Sequence, residues 1–195
     1  VPPTLLYSVI GKIQDVRKAV TMDAKRPQDL VYIIGETLDE LGGSEWFAQN
    51  NAIGNKVPQV DVKKAIKKYR ALYKAIQAGL VASCHDCSDG GLGIALIETA
   101  FAGGFGINIA LKDVPYRGRK RNDYILFSET ASRFVVTIHP KNQSRFEKIM
   151  AGNVLNEIGF VAGDQLFQVT GLHGKLIIKE KISKLKEAWQ KPLNF

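Results

Sequence analysis

Ser83-Cys84-His85-Asp86-Cys87-Ser88-Asp89-Gly90-Gly91-Leu92-Gly93 gathers both cysteines, one of three histidines, two aspartates and three glycines into one short stretch. Gly79-Leu80-Val81-Ala82-Ser83 reads as a short strand entering it, and the apolar run Ile94-Ala95-Leu96-Ile97, then Ala100-Phe101-Ala102, reads as a helix leaving it. A turn between strand and helix is where phosphate is commonly handled. Asp86, Ser88 or Asp89 offers an oxygen to cap the exposed N–H groups of that helix. Gly90 and Gly91 allow a tight turn and close approach to a ligand. The helix start presents unpaired N–H groups and the positive end of its dipole, which suit phosphate oxygens, and aspartate beside phosphate is a hard-oxygen partner for magnesium. The same wording opens many helices that bind nothing, so spacing alone leaves both readings open.

The two cysteines sit at C-x-x-C spacing, which raises zinc and thiol-redox readings. Zinc needs four ligands; Cys84, His85 and Cys87 leave at least one to come from the remote His139 or His173. A redox pair suits the strand-to-helix context, but the charge of Asp86 between the sulfurs opposes thiolate formation. Two reduced cysteines beside a turn is the plainer reading and fits a cytoplasmic protein.

With 195 residues, 45% of them hydrophobic, the chain can bury a core as one domain or two small halves. Its apolar runs fall far short of the roughly 18 residues of a membrane span, and no secretory signal is visible. The N-terminal Val1 and the Pro2-Pro3 pair suggest a piece of a longer polypeptide. A net charge of +8 invites a nucleic-acid reading. The densest basic set, Lys63, Lys64, Lys67, Lys68, Arg70 and Lys74, falls within one helical pattern and reads as a solvated face. Arg117-Gly118-Arg119-Lys120-Arg121 is the better anion or partner surface, but it lacks the interleaved aromatics of a single-strand binder. Neither nucleic acid nor membrane is the expected partner.

Along the chain, residues 5–13 read as a buried strand, Asp15 to Val20 as a short turn or helix and Asp29 to Ile34 as a second strand. Leu41-Gly42-Gly43-Ser44 turns into a helix with Ser44 as N-cap; its functional reading is a wall of the same ligand cleft. Asp61 caps a long helix to about Ala78, with Val62, Ala65, Ile66, Tyr69, Leu72, Tyr73 and Ile76 as one buried stripe. Phe105 to Leu111 is a strand, 112–122 a basic loop, Arg133 to Ile138 a strand, 142–151 a helix and Ile158 to Ala162 a strand. Phe167 to Leu172 and Lys175 to Lys179 form a hairpin over His173-Gly174. The expected domain is 1–181, with 182–195 as a tail or docking helix. The fold class is α+β (α/β layered), a mixed β-sheet flanked by helices; two β-α-β halves meeting near Gly104 are also compatible.

Five stretches carry a resemblance in register: Pro2-Pro3-Thr4-Leu5-Leu6, Leu41-Gly42-Gly43-Ser44-Glu45, His85-Asp86-Cys87-Ser88-Asp89-Gly90-Gly91-Leu92, Ala100-Phe101-Ala102-Gly103-Gly104 and Phe127-Ser128-Glu129-Thr130-Ala131-Ser132-Arg133-Phe134. Together they resemble the C-terminal aminoimidazole ribonucleotide synthetase-like domain of phosphoribosylformylglycinamidine synthase, over nearly the whole chain. The resemblance implies the C-terminal-half fold of that superfamily. It also implies a parent ligase of purine biosynthesis that uses ATP and glutamine-derived ammonia to convert formylglycinamide ribonucleotide to its amidine.

In that family an ATP-binding half and a C-terminal half occur twice, and this chain resembles the second C-terminal half. The aspartate of the family's His-Asp-x-Ser motif implies Asp86 as a Mg2+ ligand. The serine implies Ser88, with Gly90 and Gly91 of the same turn, as contacts of a tightly held auxiliary ATP or ADP. Cys87 fills the variable position. Glu129 and Arg133 stand where the family has a Glu-Ser-x-x-Arg signature and are expected to form a structural ion pair and loop lock. The implied partners are the ATP-binding half and a glutaminase domain or subunit, and the domain alone is expected to be inactive. A phosphoryl-transfer relative such as selenophosphate synthetase or thiamine-phosphate kinase, and a non-catalytic basic binding module, are the competing readings.

Overall fold

The computed structural model describes residues 6–193. Its elements in chain order are β1 (Leu30–Ile34), β2 (Thr37–Leu38), α1 (Glu45–Gln49), α2 (Val62–Gln77), β3 (Ser83–Asp86), α3 (Gly91–Gly103), β4 (Gly106–Ala110), β5 (Tyr116–Arg117), α4 (Asn122–Phe127), β6 (Phe134–Ile138), α5 (Gln143–Met150), β7 (Leu155–Ala162), β8 (Leu166–Thr170), β9 (Leu176–Lys181) and α6 (Ile182–Gln190). Seven strands form one sheet in the order β3-β6-β1-β7-β4-β8-β9, and β2 pairs with β5 apart from it. The large sheet is mixed: β4 and β8 run parallel and its other neighbours antiparallel. Its two strands from before Gly104, β1 and β3, pair only with β6 and β7 from after it, so the chain does not divide into halves there.

Period-two alternation in β1 sends Val31 and Ile33 to one face and Tyr32 and Ile34 to the other. Val31 and Ile33 meet Leu92, Ala95, Leu96 and Ala100 of α3 and Ile125 and Leu126 of α4. Tyr32 and Ile34 meet Leu72 and Ala75 of α2 and Phe146 and Met150 of α5. A strand buried on both faces loses the polar alternation of a surface strand, which is why Leu30–Ile34 is apolar throughout. Gly159 sits where β4 comes closest: a Cβ there would lie 1.9 Å from the Asn108 carbonyl oxygen.

Several elements stand as read from the sequence. Ser44 caps α1 by accepting from Phe47 N–H, and Asp61 caps α2 by accepting from Lys64 N–H. Asp15 caps one turn of 3-10 helix at Val16–Lys18. The β8–β9 hairpin forms with Gly174 at φ 75°. Helix α6 packs on α3 through Ile182 and Leu185, and Trp189 leans on Phe101.

Four expectations fail or shift. Leu5 lies outside the described residues with the rest of the first resemblance stretch before Leu6; residues 6–13 form no strand and are exposed, Ile10 at 99%. No described strand edge receives them, and an apolar run without a pairing edge does not become a sheet strand. The α2 stripe is narrower than its spacing suggests. Ala65, Leu72 and Ala75 are buried, whereas Val62, Ile66, Tyr69 and Tyr73 are exposed, because only a narrow strip of α2, including Leu72 and Ala75, packs into the layer with β1 and α5. The basic loop contains a short strand, β5, and α4 begins at its last residue; the short lengths of both leave no periodic signal. The strand entering the central turn also starts late, at Ser83.

Leu72→Ala is expected to cost about 2–5 kcal/mol as a cavity in a packed layer, and its exposed neighbour Tyr73→Ala under about 0.5 kcal/mol, read from urea midpoints.

Candidate functional site

Antiparallel pairing with β6 carries β3 to the sheet edge, placing His85 opposite Val135 and Asp86 opposite Phe134. The Cys87 N–H donates to the Arg133 carbonyl at 3.0 Å and continues the ladder one residue further. Asp86, Ser88 and Asp89 are exposed, while Cys87, Gly90 and Gly91 are buried. The three exposed residues line an open cleft of about 650 Å³, with Tyr69, Glu129, Ser132 and Arg133 in its other walls.

None of the three short oxygen-bearing side chains caps α3. Its N-cap is Gly90, left-handed at φ 74° and without a side-chain cap. A glutamate distant in the chain does that work: Glu129 Oε1 accepts from Gly90 N–H at 2.9 Å and from Glu45 N–H, in the first turn of α1, at 3.0 Å. One carboxylate therefore ties two helix starts together, in the placement that helix dipoles favour. Gly91 is also left-handed, at φ 66°, and a Cβ there would lie 2.3 Å from the Ser128 carbonyl oxygen. The Gly91 N–H donates to the Ser88 carbonyl at 2.9 Å. Both glycines thus serve the turn and its packing, and both amides are engaged within the protein.

Arg133 is 1% exposed. Its guanidinium donates from Nε to the Thr130 carbonyl at 2.9 Å, from Nη1 to Thr37 Oγ1 at 2.9 Å and from Nη2 to the Ser128 carbonyl. Burial pushes its pKa down. Among the described residues no ion pair joins it to Glu129. The expected pair is instead a division of labour: Arg133 folds the 128–133 loop around itself and Glu129 fastens that loop to two helix starts. Lys68 donates to the Ser132 carbonyl, and Tyr69 and Ser132 share a hydroxyl hydrogen bond at 2.6 Å. Burial, then the Arg133 charge, lowers the Lys68 pKa.

The Leu41–Ser44 turn buttresses this assembly rather than walling the cleft. Trp46 stacks on Phe127 with centroids 4.4 Å apart, and Leu41, Gly42 and Phe47 line a different cavity of about 320 Å³. In the basic loop Arg117 lies 3.3 Å from Glu36, and Arg121 pairs with Asp123 at 2.6 Å and covers the Tyr124 ring.

Burial pushes the Cys84 thiol up to about 12 and the Cys87 thiol to about 11, with the Asp86 charge acting in the same direction. Neither is a thiolate at neutral pH. Among the described residues no three His, Cys, Asp or Glu side chains converge as a metal cage, so the zinc reading has no ligand set. Magnesium asks for less: one or two carboxylates with water and a ligand's phosphates suffice. Asp86, exposed at the cleft beside Ser88 and Asp89, fits such a shared site.

Residues that spacing did not reveal include Glu129 as a cap, Tyr69 and Lys68 at the loop, and Glu98, whose carboxylate meets His85 Nε2 at 2.7 Å. Their partners lie 13 to 84 residues away in the chain, so no local pattern marks them.

The family described as AIR synthase related protein, C-terminal domain, matches residues 26–171. The chain is 34% identical over 191 residues to the phosphoribosylformylglycinamidine synthase subunit PurL of Alkaliphilus metalliredigens, covering 96% of this chain and 25% of that protein. It therefore spans about a quarter of the relative's length. Among solved structures, T. maritima PurL complexed with FGAR superposes with a TM-score of 0.76 at 22% identity, over 87% of this chain and 30% of that one. The same protein complexed with ATP gives 0.70 at 23% identity, over 87% and 27%. Hydrogenase maturation protein HypE in complex with ATP gives 0.63 at 15% identity, over 85% and 54%. These likenesses show the fold, a mixed sheet flanked by helices.

Arg133→Lys is expected to destabilise the chain by roughly 1–3 kcal/mol, because one ammonium cannot serve three diverging acceptors; denaturant unfolding reads this out. Iodoacetamide at pH 8 should leave both cysteines unmodified in the folded chain and alkylate both in urea. The folded thiols hold their protons more tightly than unfolded ones, so the stability they lend is complete below about pH 9 and is lost as pH rises towards about 12. A pH series of unfolding midpoints checks that window.

Proposed function

Since the chain belongs to the AIR synthase related protein, C-terminal domain family, we propose that it is the second C-terminal synthetase-like domain of a phosphoribosylformylglycinamidine synthase. The parent is then the ligase of purine biosynthesis that converts formylglycinamide ribonucleotide to formylglycinamidine ribonucleotide with ATP and glutamine-derived ammonia. The identity of 34% to a PurL subunit along almost the whole chain supports this. The fold does not choose among nucleotide-using relatives, since HypE shares it; the sequence does.

Within the parent the domain contributes to an auxiliary nucleotide site. Asp86 holds Mg2+ together with the phosphates of ATP or ADP, and the Ser88 hydroxyl contacts the nucleotide. Gly90 and Gly91 shape the turn that presents both. The observation that carries this reading is the cleft: Asp86 and Ser88 face open space in a lining that holds three carboxylates, Asp86, Asp89 and Glu129, against one buried guanidinium, Arg133. That excess of carboxylate suits a divalent cation, which brings phosphate oxygens with it. Bound magnesium would neutralise phosphate charge there; the chain's own part is to orient the nucleotide. The cleft is open because its other wall belongs to the ATP-binding half. That half and a glutaminase domain or subunit are the proposed partners, and the cytoplasm the proposed compartment.

The parent polypeptide should release ADP in the presence of formylglycinamide ribonucleotide with ammonium or glutamine. Asp86→Ala should lose bound nucleotide and lower that rate, and the 195-residue chain alone should give no turnover. A parent that releases no ADP with this substrate overturns the ligase assignment. Turnover by the isolated chain overturns the non-catalytic role.

A further inference from the structure

Helix α6 lies beyond the matched family segment, which ends at residue 171, yet it is linked through Glu98 of α3 to the strand that carries Asp86. Trp189 Nε1 donates to Glu98 Oε1 at 2.8 Å. The other oxygen of that carboxylate, Oε2, meets His85 Nε2 at 2.7 Å, and His85 Nδ1 stands 3.4 Å from Asp86 Oδ1. Three elements are joined end to end: α6 to α3, α3 to β3, and within β3 the ring to the carboxylate.

The two side chains behind Asp86 are enclosed, and the indole at the far end is 45% exposed. Asp86 is 64% exposed at its side chain, His85 15% and Glu98 19%. The indole is placed by packing as well as by its hydrogen bond, since its ring lies 5.5 Å from that of Phe101, one helical turn from Glu98. The Asp86 carboxylate has no such support of its own. Among the described residues it accepts no hydrogen bond, and His85 is the cationic or titratable nitrogen side chain within 4 Å of it. An exposed aspartate at the last residue of an edge strand turns freely about χ1, and ligation has to stop that motion.

We infer that His85, Glu98 and Trp189 are positioning residues for Asp86. The C-terminal helix holds Glu98, Glu98 holds the His85 ring in one plane, and the ring restricts the directions open to the Asp86 carboxylate. This rests on the reading of Asp86 as a ligand of Mg2+ shared with nucleotide phosphate. Outer partners that orient a metal ligand typically change metal affinity about 10- to 100-fold when lost. With one ring between Glu98 and the ligand, Glu98→Leu is expected to weaken metal binding about tenfold and Trp189→Phe about threefold.

The test uses the full-length polypeptide that contains this chain, with ADP present and Mn2+ as a paramagnetic stand-in for Mg2+. Free Mn2+ is followed by electron paramagnetic resonance in the cold, where the variants stay folded, and each thermal midpoint is recorded. Asp86→Ala identifies the class of bound Mn2+ that belongs to this site. Weakening of that class in Trp189→Phe and Glu98→Leu supports the inference, as does near-normal affinity in Glu98→Gln, which still accepts from the indole and bonds the ring. Wild-type affinity in both Trp189→Phe and Glu98→Leu, with or without a lowered thermal midpoint, overturns it and leaves the metal site standing. If Glu98→Leu does not fold, Trp189→Phe decides alone. If Asp86→Ala binds Mn2+ as the wild type does, the site reading falls and the positioning role with it.

Discussion

One carboxylate and one guanidinium hold the functional face together. Glu129 accepts from the amides at the starts of α1 and α3, and Arg133, donating to the Ser128 and Thr130 carbonyls of the same loop, gives that loop the shape that puts Glu129 in place. Neither helix start has a local route to the same result. The N-cap of α3 is a glycine with no side chain to offer, and α1 is a helix of only five residues that Ser44 caps at a single N–H. The guanidinium is spent on holding the loop, and the carboxylates of Asp86, Asp89 and Glu129 outnumber it in the lining of the cleft.

The sheet supports this by burying both of its faces. Helices α3, α4 and α6 lie on one side and α2 and α5 on the other, so β1 and β6 have no polar face and cannot slip in register without exposing one of two apolar sets. Strand β3 is different: it lies at the edge, ends at Asp86 and delivers the turn to open space. Rigid pairing behind the turn and an open cleft ahead of it suit a surface that contributes one side of a site and receives the other from elsewhere. The exposed apolar residues of 6–13 and of α2 agree with a chain that spans a quarter of its relative's length.

How much of this could be read from residues alone divides by distance along the chain. The strand–turn–helix around Ser83–Gly93, the caps at Ser44 and Asp61, the hairpin over His173-Gly174 and most strands rest on interactions within a few residues, and the sequence pattern contains them. The α2 stripe illustrates the limit. Its spacing declares that Ile66, Tyr69 and Tyr73 share a face with Leu72, but spacing cannot say whether anything lies against that face. The segment 5–13 shows the same limit for strands, where an apolar run needs an edge to pair with.

What the sequence by itself determined is the family, the layered fold class and the position of the central turn, because these depend on local periodicity and on residue types at short spacing. The tertiary structure alone decided that Glu129 rather than Asp86, Ser88 or Asp89 caps α3, that Arg133 is solvated by carbonyls rather than paired with Glu129, and that a C-terminal tryptophan holds the glutamate of α3 that bonds His85 on the strand bearing Asp86. Each is a contact between groups far apart in the chain, made possible only when the β3–β6 pairing and the packing of α6 on α3 bring their backbones together. Hydrogen-bond geometry is set by that approach and leaves no trace in the order of the residues.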